Sequence, residues 1–568
     1  MVTVTVVTLG AGSEVGRSCF FVSIDDTNVL IDTGVHPSPS SESERIPRIP
    51  TDVNIHAVII SHCHLDHVGA LPHLTEVART IPPNCEIFMT SPTKTLSPSV
   101  CVDYSRGPNG NAYVANHVAE CFSSDRVRVI GCGEEVRLES NPAFVVKTAH
   151  AGHVIGGVLL RLSYKAVHVV YTGDFSVQPD SLLAPIRIPN SLVSPRGTDV
   201  VISECTHATT VAPPNRSLET VEIDICKRIK RTLDRGGRVL IPLFAVGRTQ
   251  EMASMIRRHL GDVRLFTTSP AGHRASILSA SLHRQWLRDQ VSTDSFKVHV
   301  LSDSEPFPEN AVVFASPAMI EGGSSLKLFS EICGDPKNLV LLTGYCQPGT
   351  VGNSVILFAS RTLRERTVLV DGRRMEVACE CFYSPISNHT DSTGIVNVLR
   401  QLRPRTGLLL VHGQREKIEK FASRLRDEKI VDGATEIHIP RNYETHIFDC
   451  AGGEASDNAP SVREPQHVLM NQFVETKLSV AGIVTLVEEM IPSAVILRGS
   501  EVVIRDSRGS VEVSQGEGGI EFNWNADLSL GPEWVAFNPL VSGIIFAIQH
   551  ASPVIPQEDT FSVSECSE

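Results

Sequence analysis

The residues best suited to chemistry lie close together in the segment SHCHLDHVGALPHL, where His62, His64, Asp66 and His67 follow the apolar residues 57–60. Imidazoles at positions i and i+2, then a carboxylate and an imidazole at i+4 and i+5, place nitrogen and oxygen donors on one tight turn. Four such ligands would close a single tetrahedral zinc site and leave no position for a reacting water. The spacing therefore favours two adjacent zinc ions.

Other residues able to bind a metal or move a proton also follow apolar runs. They are His153 in TAHAGHVIGG, Asp174 in VHVVYTGD, Glu204 in DVVISE and His412 in GLLLVHG. Such runs predict buried strands, and ligands collect at the carboxyl ends of strands in α/β proteins, so these residues can converge. Asp32, in NVLIDTG, has the same form and either supports a ligand histidine or caps a turn.

The elements that must position these residues alternate along the chain. Short apolar runs and longer amphipathic stretches succeed each other through residue 450, which is typical of an α/β protein. The start, MVTVTVVTLGAG, predicts a first strand and not a secretory signal. The glycine-rich GAGSEVG lacks a following helix and is interpreted as a turn between strands.

A separate C-terminal domain is expected after a small, polar linker at residues 451–466. Within it, KLSVAGIVTLVEEM predicts a helix. Residues 493–524 predict strands joined by glycine-containing turns, so this domain is expected to be α+β. No catalytic signature occurs in it.

Composition narrows the class of protein. The chain has 568 residues, 42% hydrophobic and 20% charged, and no apolar stretch reaches the roughly 18 residues of a membrane span. Its 14 cysteines lack paired-ligand spacing except for the weak Cys379-x-Cys381. This pattern indicates free thiols in a reducing compartment rather than a disulfide framework.

Charge is unevenly distributed. The formal net charge is −13, and residues 451–568 hold 17 acidic against 5 basic side chains, so the first 450 residues are nearly neutral. Basic residues cluster at 227–238, 361–374 and 400–405. These clusters are either phosphate-binding surfaces or ordinary solvated helix faces, and sequence spacing does not distinguish the two.

Taken in order, these motifs resemble those of metallo-β-lactamase-fold hydrolases, specifically the β-CASP nucleases, over most of residues 1–450. After HxHxDH come Glu204 in SECTHATT, His389 in YSPISNHTD and His412 in LLVHG. The segments GGRVLIPLFAVGRTQEM, VVFASPAMIEGG and GYCQPGTVGN resemble the inserted β-CASP region.

The resemblance implies a fold and its boundaries. A metallo-β-lactamase αββα sandwich is expected at residues 1–210 and 385–450, interrupted by a β-CASP α/β domain at 211–384. The C-terminal domain would then occupy 467–568.

The resemblance also implies roles for individual residues. His62, His64 and His153 would hold one zinc; Asp66, His67 and His412 would hold the other; Asp174 would bridge them. Glu204, His389 and Asp66 would be catalytic, with the Glu204–His389 pair serving the leaving group. The chain departs from the family at Cys205 and His207, where Ser and Tyr are usual, and at Pro385, Asn388 and Thr390 around His389.

The implied function is zinc-dependent cleavage of nascent RNA in a nuclear multi-subunit complex. Binding to zinc lowers the pKa of a water to about 7, and a water bridging two zinc ions would fill this role, so hydroxide attack would leave 3′-hydroxyl and 5′-phosphate ends. The C-terminal domain would bind an inactive metallo-β-lactamase paralogue. Residence in the nucleus is expected, with the cytoplasm left open. Three alternatives remain: an endonuclease of messenger-RNA 3′-end processing, a small-molecule hydrolase of the same fold, and a non-catalytic scaffold.

Overall fold

The computed structural model describes residues 1–36, 44–51, 53–106, 112–123, 126–179, 182–210, 218–282, 286–288, 291, 293–302, 304–344, 346–360, 366–370, 372–386, 388–451, 467–475, 495–498, 502–506, 509–516, 519–527 and 561–563. The chain divides into two compact units, Met1–Glu454 and Ala455–Glu568. The expected linker after residue 451 and the helix expected in KLSVAGIVTLVEEM lie outside the described residues.

The first sheet of the larger unit has seven strands. Numbered in chain order, they are β1 (Val2–Gly10), β2 (Cys19–Ile24), β3 (Thr27–Ile31), β4 (Ala57–Ile59), β5 (Glu86–Met89), β6 (Val127–Val129) and β22 (Glu444–Cys450). Their spatial order is β22-β1-β2-β3-β4-β5-β6. The segment GAGSEVG forms the loop between β1 and β2, as predicted.

The second sheet also has seven strands. They are β7 (Glu135–Arg137), β8 (Phe144–His150), β9 (Val158–Tyr164), β10 (Val167–Tyr171), β11 (Thr198–Glu204), β20 (Pro404–Val411) and β21 (Glu436–His438). Their order is β21-β20-β11-β10-β9-β8-β7. Strand β20 comes from near the end of the larger unit and pairs with β11. The sheet is therefore built from two parts of the chain, which residues 205–403 separate in sequence.

The two sheets pack face to face because their strands alternate apolar side chains. Val2, Val4 and Val6 of β1 share one core with Val167 and Val169 of β10. Helices cover the outer faces. On the first sheet these are α1 (Leu65–Val68), α2 (Ser91–Arg106) and α3 (Ala115–Cys121), with a π-helical turn at His73–Val77; on the second they are α9 (Ser392–Leu402) and α10 (Arg415–Asp427). The result is an αββα sandwich.

The inserted region forms a six-stranded parallel sheet, ordered β14-β13-β15-β12-β16-β19, beside a two-stranded hairpin. Its strands are β12 (Val239–Pro242), β13 (Leu265–Thr267), β14 (His299–Val300), β15 (Val312–Ala315), β16 (Leu339–Leu342) and β19 (Glu380–Tyr383), and the hairpin is β17 (Thr367–Val370) with β18 (Arg373–Glu376). Its helices are α4 (Leu218–Asp234), α5 (Arg248–Leu260), α6 (Pro270–Leu282), α7 (Gly323–Ile332) and α8 (Val351–Ser360), with a 3-10 turn at Thr293–Phe296. Apolar clusters on both faces bury its central strands, as parallel sheets require.

The smaller unit contains an antiparallel sheet. Its strands are β23 (His467–Glu475), β24 (Val495–Arg498), β25 (Val502–Asp506), β26 (Gly509–Gly516), β27 (Gly519–Asp527) and β28 (Phe561–Val563), ordered β24-β25-β26-β27-β23-β28. Strands β24 to β27 fall where the apolar runs and glycine turns predicted them. Among the helices of the described residues, none combines the length and the apolar character needed to cross a membrane.

Candidate metal centre

Of the four residues of the HxHxDH motif, His62 and His64 lie in the loop between β4 and α1, and Asp66 and His67 lie on α1. Ser18 N donates a hydrogen bond to Asp66 O over 2.8 Å, and Thr33 N donates to His67 O over 2.7 Å. A Cβ on Gly34 would lie 1.7 Å from Asp66 O. Backbone groups next to strands β2 and β3 therefore hold this segment in place, and the close approach requires glycine at position 34.

The other candidate residues lie at strand ends, where the apolar runs placed them. His153 follows β8, Asp174 follows β10, Glu204 ends β11 and His412 follows β20. His412 has φ 54° and Asp32, after β3, has φ 59°. Left-handed backbone is unfavourable for residues other than glycine, so contacts must impose it. His412 N donates to Ala11 O over 2.8 Å, and Asp32 N donates to Ile59 O over 2.9 Å.

Seven side chains converge here, six of them in two adjacent groups, and within each group the candidate ligand atoms lie within 4.8 Å of one another. The first group is His62, His64 and His153, and the second is Asp66, His67 and His412. Asp174 lies between them. Its Oδ2 is 3.7 Å from Nε2 of His62 and 3.2 Å from Nε2 of His67, and its Oδ1 is 3.5 Å from Nδ1 of His412.

Unpaired buried atoms test whether this cluster fits a metal. Nε2 of His62 and Oδ1 of Asp174 are buried and make no hydrogen bond within the described residues. Nε2 of His153 and Nδ1 of His64 face each other at 3.0 Å. Unpaired buried polar atoms are costly, and a cation would satisfy these lone pairs. Imidazole and carboxylate donors suit zinc, so the residues fit a divalent metal.

Burial sets the charge of three histidines. It lowers the pKa of His64 to about 4 and holds the pKa values of His62 and His153 well below the ordinary value, because the cation is disfavoured away from water. Neutral imidazole is the form that binds metals. These three side chains are therefore ready to bind a cation.

His67 differs from them. Burial would lower its pKa, but the carboxylates of Asp174, Asp32 and Asp66 raise it well above the ordinary value. Burial would likewise raise the pKa of Asp174, but His412 and His67 hold it well below its usual range. In the metal-free chain His67 is an imidazolium, and it must lose a proton before Nε2 can bind a metal.

Asp32 contacts both the turn and a candidate ligand. Its Oδ1 accepts from Ser61 N at 2.7 Å, and its Oδ2 accepts from Ser61 Oγ at 2.7 Å, from His67 Nδ1 at 2.8 Å and from Tyr171 Oη at 2.9 Å. Asp32 thus combines the two roles between which the sequence did not decide. Its bond to His67 Nδ1 leaves Nε2 directed at Asp174.

Glu204 and His389 form a pair beside the metal-binding cluster. Oε2 of Glu204 lies 2.9 Å from Nδ1 of His389, and Nε2 of His389 is 3.9 Å from Oδ2 of Asp174. Burial would lower the pKa of His389, but Glu204 and then Asp174 raise it to about 9. At neutral pH the metal-free site therefore holds a proton on His389.

Thr206 is a residue that sequence reasoning missed. Its Oγ1 donates to Glu204 Oε2 over 2.7 Å and lies 2.9 Å from Nδ1 of His412. One hydroxyl can donate to the carboxylate while accepting from the imidazole, which leaves Nε2 of His412 facing Asp66 at 3.4 Å. Its place two residues after Glu204 was the available signal. Of the two departures nearby, Cys205 is buried, and the His207 ring lies 6.0 Å from the ring of His389.

The basic cluster at residues 227–238 is partly neutralised by one carboxylate. Arg228, Arg231 and Arg235 lie 3.0, 2.7 and 3.4 Å from Glu380 oxygens. The guanidinium of Arg228 also covers the ring of Phe382 at 3.9 Å. These contacts favour a solvated structural face over a phosphate-binding site here.

Comparisons with known proteins agree with this architecture. A metallo-beta-lactamase superfamily domain matches residues 21–201, a Beta-Casp domain matches 247–355, and a Zn-dependent metallo-hydrolase RNA specificity domain matches 374–440. The first of these families binds divalent metals, and the cluster offers groups of side chains that could hold such an ion.

Curated relatives match over most of the chain. Integrator complex subunit 11 of Gallus gallus is 32% identical over 471 residues, covering 78% of this chain and 74% of the relative. Integrator complex subunit 11 of Danio rerio is 30% identical over 470 residues, with the same coverage of 78% and 74%. Cleavage and polyadenylation specificity factor subunit 3-II of Arabidopsis thaliana is 29% identical over 464 residues, covering 78% and 72%.

Proposed function

This chain belongs to the metallo-β-lactamase and β-CASP family that includes Integrator complex subunit 11, a family of metal-dependent RNA endonucleases, and we propose that it is the cutting subunit of an Integrator-type complex. The observation that carries the proposal is a complete set of candidate metal-binding side chains directly beside a pair formed by buried Glu204 and partly buried His389. A scaffold would need neither, and hydrolysis of a lactam or thioester would not need the pair.

We assign the two metals to the two groups of ligands. His62, His64 and His153 would hold one zinc, and Asp66, His67 and His412 would hold the other, with Asp174 between them. When bound, the metals supply a water of lowered pKa and positive charge for the phosphate oxygens. Asp66 and Asp174 thereby contribute to catalysis through the placement of this charge.

His389 holds the proton that the leaving group needs. Glu204 accepts from Nδ1, so the imidazole is fixed with Nε2 directed towards the cluster. Donation from Nε2 to the departing ribose 3′-oxygen would release a 3′-hydroxyl and leave a 5′-phosphate on the other fragment. Thr206 and the backbone N of Phe175 also donate to Glu204, which keeps that carboxylate in place.

Cleavage of labelled RNA by the chain purified with its co-purifying proteins tests the mechanism. We expect zinc-dependent cutting with 3′-hydroxyl and 5′-phosphate ends, and a loss of roughly 100-fold or more in rate for His389→Ala. His168→Ala is the matched control, because this part-buried histidine of β10 contacts Ser163, 3.1 Å away, and lies outside the cluster. Products ending in a 2′,3′-cyclic phosphate, or full activity of His389→Ala, would contradict the mechanism.

The assembly is the finer part of the proposal. Similarity to Integrator complex subunit 11 supports a nuclear role in cutting nascent RNA, including small nuclear RNA 3′-end processing and attenuation of transcription. The acidic C-terminal unit would bind an inactive metallo-β-lactamase paralogue resembling Integrator subunit 9. The alternative, supported by similarity to polyadenylation factor subunits, is the endonuclease of messenger-RNA 3′-end formation.

Mass spectrometry of proteins co-purified from nuclear extract separates these assemblies. We expect Integrator subunits with the full chain and their loss with a chain ending at residue 450. Recovery of polyadenylation factors would establish the alternative assembly. In cells, full complementation by both Asp66→Ala and His67→Ala would instead indicate a scaffold.

A further inference from the structure

A closed network of hydrogen bonds joins the first turn of α5, in the inserted region, to the metal-binding cluster. Its central residue is Asn388, next to His389. The other members are Arg248 and Glu251, on the first turn of α5, and the candidate ligand His153.

Asn388 and His153 bind each other reciprocally across 235 residues of sequence. Nδ1 of His153 lies 2.9 Å from the backbone O of Asn388, and Nδ2 of Asn388 donates to the backbone O of His153 over 3.2 Å. A carbonyl only accepts, so the ring proton of His153 must lie on Nδ1. This leaves the lone pair on Nε2, which faces His64, available for a metal.

The side chain of Asn388 is held in turn by α5. Its Oδ1 accepts from Nη1 of Arg248 at 3.1 Å, and its Nδ2 donates to Oε2 of Glu251 over 3.0 Å. Arg248 also bonds the same Glu251 oxygen at 2.6 Å and donates through Nη2 to Ile386 O over 2.7 Å. Both polar atoms of the Asn388 side chain therefore form hydrogen bonds, and Glu251, the partner of Nδ2, is buried.

The start of α5 packs against the metal-binding cluster at His64. Gly247, which precedes the helix, has φ 88°, and a Cβ at this position would be 3.3 Å from Nε2 of His64. His64 thus has α5 near one ring nitrogen and His153 near the other. A shift of α5 would move Asn388, and with it the carbonyl that orients His153.

We propose that Asn388 is a positioning residue. It holds the carbonyl that orients His153, so the affinity of the cluster for metal depends on the position of α5 in the inserted region. The inference rests on the proposed metal-binding role of His153 and deepens it into regulation of the site. Separation of α5 from Ile386 and Asn388 would weaken metal binding without removing any ligand.

Zinc affinity and the absorption spectrum of the cobalt-substituted protein test this in the full-length chain. Asn388→Ala removes the bonds to Arg248 and Glu251, whereas Asn388→Asp keeps the shape but turns an oxygen towards Glu251. We expect each to weaken zinc binding by about tenfold or more and to alter the Co²⁺ d–d bands, which report ligand geometry.

Asn338→Ala is the matched control. Asn338 is buried in the inserted region, accepts from Arg238 N at 2.8 Å and donates to Ile332 O over 3.0 Å, far from any candidate ligand in the sequence. We expect this variant to lower the melting temperature while leaving zinc affinity and the Co²⁺ spectrum unchanged. A purely structural role for Asn388 would give the same result as this control.

The proposal is overturned if folded Asn388→Ala matches wild type in zinc affinity and Co²⁺ spectrum. If that variant does not fold, Arg248→Lys decides, because lysine keeps the charge but lacks the planar guanidinium whose Nη1 bonds Asn388 and Glu251 while Nη2 bonds Ile386 O. RNA is absent from these measurements. If Asn388→Ala loses zinc affinity but the wild-type chain does not cut RNA, the proposed nuclease function is refuted and the role of Asn388 stands. If the wild-type chain cuts RNA but Asn388→Ala binds zinc as wild type does, only the role of Asn388 is refuted.

Discussion

Replacement of Asp32 by asparagine removes a buried charge with little change of shape. The carboxylate is fully buried and accepts four hydrogen bonds, two from Ser61 and one each from His67 and Tyr171. An amide has one acceptor oxygen and one NH₂ group, and that NH₂ group would face donors. If Nδ2 takes the place of Oδ2, the bond that orients His67 is lost.

We expect Asp32→Asn to weaken zinc binding by roughly 10- to 100-fold, the usual effect of replacing a partner of a metal ligand. That range is about 1.4 to 2.7 kcal/mol. A hydrogen bond to a charged group contributes about 1.5 to 3 kcal/mol. The two magnitudes agree, as expected if the loss comes from the bond to His67.

Competition for zinc against a chromophoric chelator at neutral pH measures the effect. Tyr171→Phe is the control, because it removes one hydrogen bond to Asp32 but keeps both the carboxylate charge and its bond to His67. We therefore expect a smaller loss of zinc affinity than in Asp32→Asn. Folded Asp32→Asn that binds zinc within about twofold of wild type would refute the reasoning. Equal losses in both variants would show that packing, not charge, matters.

Three further perturbations test other parts of the structure. Gly34→Ala would place a Cβ 1.7 Å from the backbone O of Asp66, so we expect loss of soluble protein or of bound zinc; normal yield and zinc content would contradict this. Zinc affinity should fall as pH falls below the raised pKa of His67, by about tenfold per pH unit for one displaced proton, because the imidazolium must release it. Calorimetry in two buffers of different ionisation heat counts that proton, and its absence would disprove the protonated state. Glu380→Gln should lower the free energy of unfolding by about 1 kcal/mol at low salt, because three part-exposed arginines surround this carboxylate. The loss should be smaller at high salt, which screens these charges. Denaturation at two ionic strengths checks this, and a cost independent of salt would exclude the ionic explanation.

Much of the fold could be predicted because its signals are local. The alternation of Val and Thr in β1 and the glycine turns of β24 to β27 follow from strand periodicity, and the structure has these strands where they were expected. Polar residues that end apolar runs, such as Asp174 and His412, lie at strand ends for the same reason. The αββα sandwich and its insertion came from the order of motifs, which no periodicity in this chain would have revealed.

The partners of the site residues could not be predicted, because they are distant in sequence. Thr206 bonds to His412 across 206 residues, and Asn388 bonds to His153 across 235. Thr, Tyr and Asn are common polar residues, so their type carries no signal until the fold places them beside a ligand. The arginines in and just after α4 gave the opposite difficulty, because the sequence showed their charge but not Glu380, the distant carboxylate that partly neutralises it.

By itself, the sequence determined which side chains could bind metal and that they end buried strands, because residue type and hydrophobic period are properties of neighbouring positions. Only the tertiary structure decided which atoms meet and which of them carry protons. His62 and His67 belong to one motif, yet burial keeps the first neutral while three carboxylates keep the second charged. The reason is that a pKa depends on solvent exclusion and on charges a few ångströms away, and these are set by packing between segments far apart in the chain.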